Sequence, residues 1–140
     1  MRSLVRRARE LASFAAVGGV GFVVDGGLLW ATTSFLGWGP ILARGLSFPT
    51  AVFFTWLLNR QFTFKGRRSE AKSSPAEYGR YLAVQVGGAA VNLAVYALFL
   101  ALVPPWRSTP VLPLAIAAGV AMVVNYLGSR LYVFNLREKA

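Results

Sequence analysis

The 140-residue sequence contains no cysteine and no histidine, and only five acidic residues. Without cysteine there is no disulfide and no thiol chemistry, and without histidine there is no imidazole acid–base catalysis. The usual zinc ligands are missing as well. Of the carboxylates only Asp25 lies inside an apolar run, and no second carboxylate stands near it in the sequence. We therefore expect no enzyme activity, no metal site and no bound cofactor.

Charged residues are also scarce, at 14% of the chain, whereas 56% of the residues are hydrophobic and the mean hydropathy is +0.53. The formal net charge of +10 might suggest a nucleic-acid partner. However, the basic residues lie at the ends of apolar runs and in one loop, and no helix-turn-helix, zinc-finger or aromatic stacking pattern is present. The composition indicates a small integral membrane protein that binds no nucleic acid.

Four apolar runs are long enough to cross a bilayer, which takes roughly 20 residues. They predict a single membrane domain of four helices at about 11–38, 41–60, 81–103 and 111–129, with a basic loop over 61–80. A basic start before an apolar run also fits a signal peptide, but this run is too long and Asp25 interrupts it.

The basic residues also predict the orientation of the chain. All but two of the 15 Lys and Arg residues lie before the first run, around the loop over 61–80, or after the last run, and the two exceptions are Arg44 and Arg107. The positive-inside rule therefore places both termini and the loop in the cytoplasm. We expect a multi-pass protein of the inner (cytoplasmic) membrane.

The two halves of the chain match each other at constant offsets. Asp25 corresponds to Asn92, 67 positions later, and Arg60 to Arg130, 70 positions later. The same offsets align Phe14 with Tyr81, Gly21 with Gly88, Thr55 with Asn125, Phe62 with Tyr132, and Phe64 with Phe134. The sequence thus predicts an all-α, integral membrane four-helix bundle built from two tandem, parallel two-helix repeats.

Polar residues inside the runs share helix faces with small residues. Gly18, Gly21 and Asp25 lie on one face of the first helix, because they are three and four positions apart. The corresponding face of the third helix carries Gln85 and Asn92. Such positions suit close helix packing with interhelical hydrogen bonds, or a polar path through the bundle.

Asp25 requires a further explanation, because a carboxylate in hydrocarbon costs about 2.5–3.5 kcal/mol even on insertion scales. We predict that it pairs with Arg44 near the start of the second helix, or that it serves as a proton-linked gate. A fixed ion pair that only holds two helices together is the alternative.

An arginine followed by aromatic residues ends the second and fourth runs, at Arg60 and Arg130. This pattern is typical of a helix that leaves the bilayer, with its guanidinium at the phosphate layer and its rings at the interface.

The sequence resembles the GtrA-like family of small four-helix membrane proteins over most of its length, from Phe14 to Phe134. The motifs that carry the resemblance are Phe14-Ala15-Ala16-Val17-Gly18 with Asp25, Ala43-Arg44-Gly45-Leu46-Ser47-Phe48, Asn59-Arg60 with Phe62-Thr63-Phe64, and Asn125-Tyr126 with Arg130 and Val133-Phe134. Tyr126 and Tyr132 stand where the pattern leads us to expect Phe and Trp, which are conservative departures.

The resemblance implies a role in cell-surface polysaccharide synthesis. Members of the family are thought to move polyprenyl phosphate, or a sugar linked to it, across the membrane, and to act together with a polyprenyl-phosphate glycosyltransferase. For that cargo we predict two groups of residues. The phosphate head would meet Arg60, Arg130, Arg44 and Lys65, since cations bind phosphate oxygens. The polar path would consist of Asp25, Asn59, Gln85, Asn92 and Asn125.

Four helices scarcely enclose a route for a sugar, so we expect a homo-oligomer. Two alternatives remain open at this stage. The chain can be a non-transporting membrane partner or anchor of the glycosyltransferase, or a proton-coupled exporter of small molecules that uses its single intramembrane carboxylate.

Overall fold

The computed structural model describes residues 1–66, 73–107 and 111–135, and the regular structure in these ranges is helical. The four long helices are α1 (Arg2–Phe35), α2 (Pro40–Leu58), α3 (Pro75–Leu102) and α4 (Val111–Gly128). Each belongs to a segment that is long and apolar enough to span a membrane. The predicted all-α, four-span membrane class is confirmed. Part of the predicted basic loop, with Arg67, Arg68 and Lys72, and the basic tail over 136–140 lie outside the described residues.

Helices α1 and α3 begin earlier than the apolar runs predicted, at Arg2 rather than about 11 and at Pro75 rather than 81. The start of α3 has a local cause. The Ser74 hydroxyl accepts a hydrogen bond of 3.1 Å from the Glu77 backbone N–H, and Pro75 occupies the first helical position. Ser74 is thus the N-cap of α3, and a side-chain N-cap followed by proline fixes a helix start whatever the hydropathy of the next turn. In α1 the basic lead-in simply continues the helix, because Arg has a high helix propensity.

The turn between α1 and α2 requires glycine at one position. Gly37 has φ +65°, in the left-handed region that other residues rarely adopt. The Trp38 N–H donates to the Thr32 carbonyl at 3.2 Å, and Pro40 then starts α2. The chain therefore reverses within four residues, and α1 and α2 form a hairpin.

The bundle consists of two hairpins, because α1 packs mainly along α2, and α3 mainly along α4. Helix α2 contacts α3 between them. The start of α1 and the ends of α2 and α4 lie together at one end, which we call the basic end. Whether the hairpins are copies of one ancestral unit stays a prediction, but the contacts described below match at the offsets of 67 and 70 residues.

Helices α2 and α4 both end at the basic end in a π turn, Asn59–Thr63 and Ser129–Val133. The Phe64 N–H donates to the Asn59 carbonyl at 2.8 Å, and the Phe134 N–H to the Ser129 carbonyl at 2.8 Å. A π turn widens the helix and rotates the residues that follow it. It therefore changes where the aromatic residues at these ends point.

The ring of Phe64 is only 1% exposed and stacks on Phe134 with ring centroids 4.8 Å apart. The prediction that the aromatics after the terminal arginines settle at the interface is wrong for these two. For the exposed rings, such as Phe62, which is 67% exposed, an interfacial position stays a prediction. Phe64 and Phe134 instead join a buried cluster at the basic end, together with Phe14, Tyr81 and Tyr126.

Candidate functional site

A central cavity of about 560 Å³ lies between the hairpins. All five residues predicted to form a polar path line it: Asp25, Asn59, Gln85, Asn92 and Asn125. Thr55 and Tyr81 add two hydroxyl groups to the same wall. The helix faces inferred from the sequence thus meet around one space.

Several polar atoms in this wall lack a partner. Among the described residues, Asp25 Oδ1, Gln85 Nε2 and Asn125 Oδ1 are buried and accept or donate no hydrogen bond. A buried polar group left without a partner costs about 1–3 kcal/mol, so such groups in a protein are normally met by water or a ligand. The cavity wall can therefore form hydrogen bonds with water or with a polar molecule that offers both donors and acceptors.

The cavity reaches the surface of the bundle along α1. Phe22 lines it and is 79% exposed, and Ala15 and Gly18, on the same helix face, are exposed as well. In a chain that spans the membrane, this surface faces lipid. A molecule in the cavity can therefore keep an apolar tail in the bilayer.

Asn59 is held rigidly at the end of the cavity nearest the basic end. Its amide nitrogen donates to the Tyr81 hydroxyl at 2.8 Å, and its amide oxygen accepts from the Thr63 hydroxyl at 2.8 Å. The Tyr81 hydroxyl in turn donates to Thr55 Oγ1 at 3.2 Å. Both ends of the Asn59 amide are thus engaged in contacts between α2, its π turn and α3, and Asn59 acts first as a structural link.

The predicted pair of Asp25 and Arg44 is present. An Arg44 Nη1 hydrogen contacts Asp25 Oδ2, and the Arg44 guanidinium also lies 5.8 Å from the centre of the Phe48 ring. Half of the Arg44 side chain is exposed, whereas Asp25 is largely buried. Arg44 thus neutralises one carboxylate oxygen from the edge of the cavity and leaves the other directed inward without a partner.

Arg60 binds a carboxylate on the neighbouring hairpin. Its Nε lies 2.9 Å from Glu77 Oε1, and the Trp56 indole N–H donates to the same oxygen at 2.9 Å. The Arg60 side chain is only 11% exposed. The ion pair links the π turn that ends α2 to the first turn of α3.

Arg130, on the second hairpin, makes the corresponding contact with a carboxylate on the first hairpin. Its Nε lies 3.0 Å from Glu10 Oε1, and the Tyr126 hydroxyl donates to that oxygen at 3.1 Å. The Arg130 side chain is 14% exposed. This ion pair links the π turn that ends α4 to α1.

These contacts change the interpretation of the terminal arginines. Neither Arg60 nor Arg130 lines the central cavity, and each guanidinium lies against a carboxylate of the other hairpin. Sequence reasoning missed Glu10 and Glu77, because both lie outside the apolar runs. A usable signal was present, since the two glutamates are 67 positions apart, the offset that relates α1 to α3.

An aromatic plug separates the central cavity from the basic end. We use this name for Phe14, Phe64, Tyr81, Tyr126 and Phe134, all of which are buried. Phe14 lines the cavity, and its ring meets Phe64 edge to face with centroids 6.1 Å apart. The cavity is therefore closed toward the basic end.

Beyond the plug lies a second space of about 390 Å³, which we call the basic cleft. Phe64 forms part of its wall, and Lys65, predicted to bind phosphate, lies at its edge together with Arg6 and Arg9. The Ser13 and Thr63 hydroxyls, 2.9 Å apart, also line it. Of the predicted phosphate-binding residues, Lys65 is thus in the basic cleft, Arg44 at the far edge of the central cavity, and Arg60 and Arg130 in the ion pairs.

The glycine at position 88 keeps room for a cavity residue. A Cβ added to Gly88 would collide with the Asn125 side chain, whereas one added to Gly87 would meet no described atom within 4 Å. We expect Gly88→Ala to displace Asn125 and to lower the free energy of unfolding by about 1–3 kcal/mol, the usual cost of overpacking. Gly87→Ala should leave the free energy of unfolding within about 0.5 kcal/mol of the wild-type value. Unfolding of the two variants in mixed detergent micelles measures this difference. Equal effects of the two changes would show that Gly88 is not needed to make room for Asn125.

The chain matches a model of a known protein family. Residues 13–134 match the transmembrane domain described as GtrA/DPMS. The matched segment contains all four helices except the basic lead-in of α1, and it includes both π turns, the lining of the central cavity and the plug.

Proposed function

Since the chain belongs to the GtrA/DPMS transmembrane-domain family, we propose that it moves polyprenyl phosphate, or a sugar linked to it, across the bilayer. The family match itself supports the broader statement, a role in membrane processes of polyprenyl-phosphate-linked sugars. The observation that carries the narrower proposal is the central cavity, which has five polar side chains of the predicted path in an otherwise largely apolar wall, holds unpartnered buried atoms and opens on an exposed surface of α1.

The chemistry of the cavity wall fits a glycosylated phosphate head. Amides such as Gln85, Asn92 and Asn125 offer both donors and acceptors, which is what sugar hydroxyls require. Arg44 lies beside the cavity through its contact with Asp25 and supplies a cation for the phosphate. The prenyl tail does not need to enter, because Phe22 and its neighbours leave the α1 side of the cavity open.

In this proposal Arg60 and Arg130 act on the protein rather than on the cargo. They hold the two hairpins together at the basic end and thereby keep the aromatic plug closed. Movement of a head group between the central cavity and the basic end then requires the plug to open. The direction of movement follows from the lipid gradient, since no nucleotide-binding loop occurs in the sequence.

The experiment that tests the proposal is lipid scrambling in liposomes. Purified protein is reconstituted with a fluorescent polyprenyl-phosphate sugar, and the fraction of label that a membrane-impermeant quencher reaches is followed in time. We expect wild type to move the lipid faster than protein-free liposomes do. The paired change Gln85→Met and Asn125→Leu should slow it at least about tenfold, since each lost hydrogen bond to a polar head contributes about 1 kcal/mol.

A matched control is available in Gln61→Met, because Gln61 is exposed at the basic end and lines no described cavity. It should scramble at the wild-type rate. If wild-type protein moves no lipid at all, the carrier proposal fails and a non-transporting partner of a glycosyltransferase takes its place. Equal rates for the cavity variant and wild type would show that the head group does not use this cavity.

The exporter alternative is disfavoured by one contact. A proton-coupled exporter needs an intramembrane carboxylate that exchanges its proton for a cationic substrate. Here Asp25 is already paired with Arg44, which places a positive charge where a cationic substrate would bind.

A further inference from the structure

The basic cleft is a candidate site in its own right. It lies between the start of α1 and the residues that follow the first π turn, and its volume of about 390 Å³ is within the range of small-molecule sites. Arg6, Arg9 and Ser13 face it together, because they are three and four positions apart on α1. Lys65 reaches it from the other wall.

The three cations of the cleft have no anionic partner among the described residues. The carboxylate in the same wall is Glu10, which forms an ion pair with Arg130 and accepts a hydrogen bond from the Tyr126 hydroxyl. All three side chains are exposed, so water solvates their charges and the fold needs no partner for them. Together they concentrate positive charge around one small space, which attracts an anion.

Comparison of the two halves of the chain shows that the fold of the basic end does not depend on these cations. The ion pair of Glu10 with Arg130 has its match in Glu77 with Arg60, at offsets of 67 and 70 residues. At the same offsets, the cleft cations have uncharged counterparts: Ser73 for Arg6, Ala76 for Arg9 and Asn135 for Lys65. The second half forms its π turn and its ion pair without these charges, so they are not needed to build this end of the bundle.

We propose that the basic cleft binds a phosphate group. Arg6 and Arg9 offer planar guanidinium forks that suit two phosphate oxygens each, and Lys65 adds a point charge. The Thr63 hydroxyl donates to Asn59 Oδ1, and the Ser13 and Thr63 hydroxyls are hydrogen-bonded to each other at 2.9 Å, so the three cations are the groups that hold the phosphate. The phosphate comes either from a lipid head group or from a soluble phosphate compound, and the geometry suits both.

This site is distinct from the one in the proposed function. The contact of Phe14 with Phe64 lies between the basic cleft and the central cavity. Phosphate binding in the cleft requires no movement of lipid across the membrane. The proposal of a phosphate site therefore stands even if wild-type protein moves no lipid in the scrambling experiment.

The test uses two probes on the full chain in phosphatidylcholine nanodiscs: dioctanoyl phosphatidic acid, which is a lipid phosphate, and inorganic pyrophosphate. The cleft variant carries Arg9→Gln and Lys65→Gln. The control variant carries Arg7→Gln and Arg80→Gln, two exposed arginines that do not line the cleft. Both variants lose two positive charges, so long-range attraction to anions falls equally in both.

We expect at least one probe to bind wild type, with an affinity that drops at least about tenfold in the cleft variant and less than about twofold in the control. Binding of phosphatidic acid alone identifies a lipid head group as the ligand, whereas binding of both probes identifies the phosphate itself. The proposal is overturned if neither probe binds wild type. It is also overturned if both variants weaken binding equally, since that result indicates general surface charge.

Discussion

Replacing Glu77 by glutamine lowers the free energy of unfolding by about 3 kcal/mol, the expected cost of removing one partner from a buried ion pair. Glu77 Oε1 accepts from Arg60 at 2.9 Å and from the Trp56 indole at 2.9 Å, and the Glu77 side chain is only 12% exposed. Glutamine keeps the size and one acceptor oxygen but removes the negative charge that faces the Arg60 guanidinium in this pair. Because the pair joins the two hairpins, we also expect the basic end to loosen as a whole.

The free energy of unfolding is measured in mixed detergent micelles, with the helix content of the protein as the signal. Arg80→Gln is the matched control, because Arg80 is exposed one turn further along α3, and this change should cost no more than about 0.5 kcal/mol. A Glu77→Gln protein as stable as that control would show that the ion pair contributes nothing to the bundle.

A double-mutant cycle then separates the pair from its surroundings. Arg60→Gln alone should destabilise as Glu77→Gln does, whereas the two changes together should cost clearly less than their sum, since no buried charge is left unpaired. Strict additivity would mean that each side chain acts through other contacts. The pair of Glu10 with Arg130 provides an independent repetition at the other π turn.

The helix count and the lining of the central cavity were predictable from the sequence. Apolar runs of sufficient length can only be satisfied in lipid as helices, since every backbone group must be bonded internally. Within those runs a polar residue such as Gln85 or Asn92 avoids lipid by facing the bundle interior. Helical spacing then places these residues on common faces, and the structure has them around one cavity.

The partners of Arg60 and Arg130 were not predictable in the same way. Hydropathy treats the end of an apolar run as the end of the ordered core, and Glu10 and Glu77 lie outside the apolar runs. In the structure α1 begins at Arg2 and α3 at Pro75, before those runs, and Glu10 and Glu77 on these extensions pair with Arg130 and Arg60 at the ends of α4 and α2. Long-range pairing of this kind leaves no local signal in either partner.

The π turns were also missed, and they explain the wrong prediction for Phe64. An extended continuation would leave Phe62 and Phe64 on one face, both at the interface. In the structure the chain stays helical through Asn59–Thr63, where residues two positions apart point in nearly opposite directions, so Phe62 is exposed while Phe64 enters the plug. No composition rule distinguishes these two phenylalanines.

Removing the ring of Phe64 opens the central cavity toward the basic end. The ring is fully buried between Phe14, Tyr126 and Phe134, and loss of a buried phenylalanine ring typically costs about 3–5 kcal/mol of packing. Since about 1.4 kcal/mol changes an equilibrium tenfold, we expect Phe64→Ala to raise access to the cavity from the basic end at least about tenfold. This is the opening step that transport past the plug requires.

The chain contains no native cysteine, so Ala51→Cys creates a single thiol. Ala51 is buried and lines the central cavity, and the rate at which a membrane-impermeant thiol reagent modifies it reports access. In inverted vesicles, where the basic end is predicted to face the reagent, Phe64→Ala should speed modification of the thiol. Phe62→Ala should not, because the Phe62 ring lies outside the plug.

Faster modification of the thiol in right-side-out cells, rather than in inverted vesicles, would reverse the predicted orientation. Equal rates for both variants on both sides would mean that the aromatic cluster packs the helices together without closing the cavity, and the gate would then have to be sought at the pair of Asp25 with Arg44.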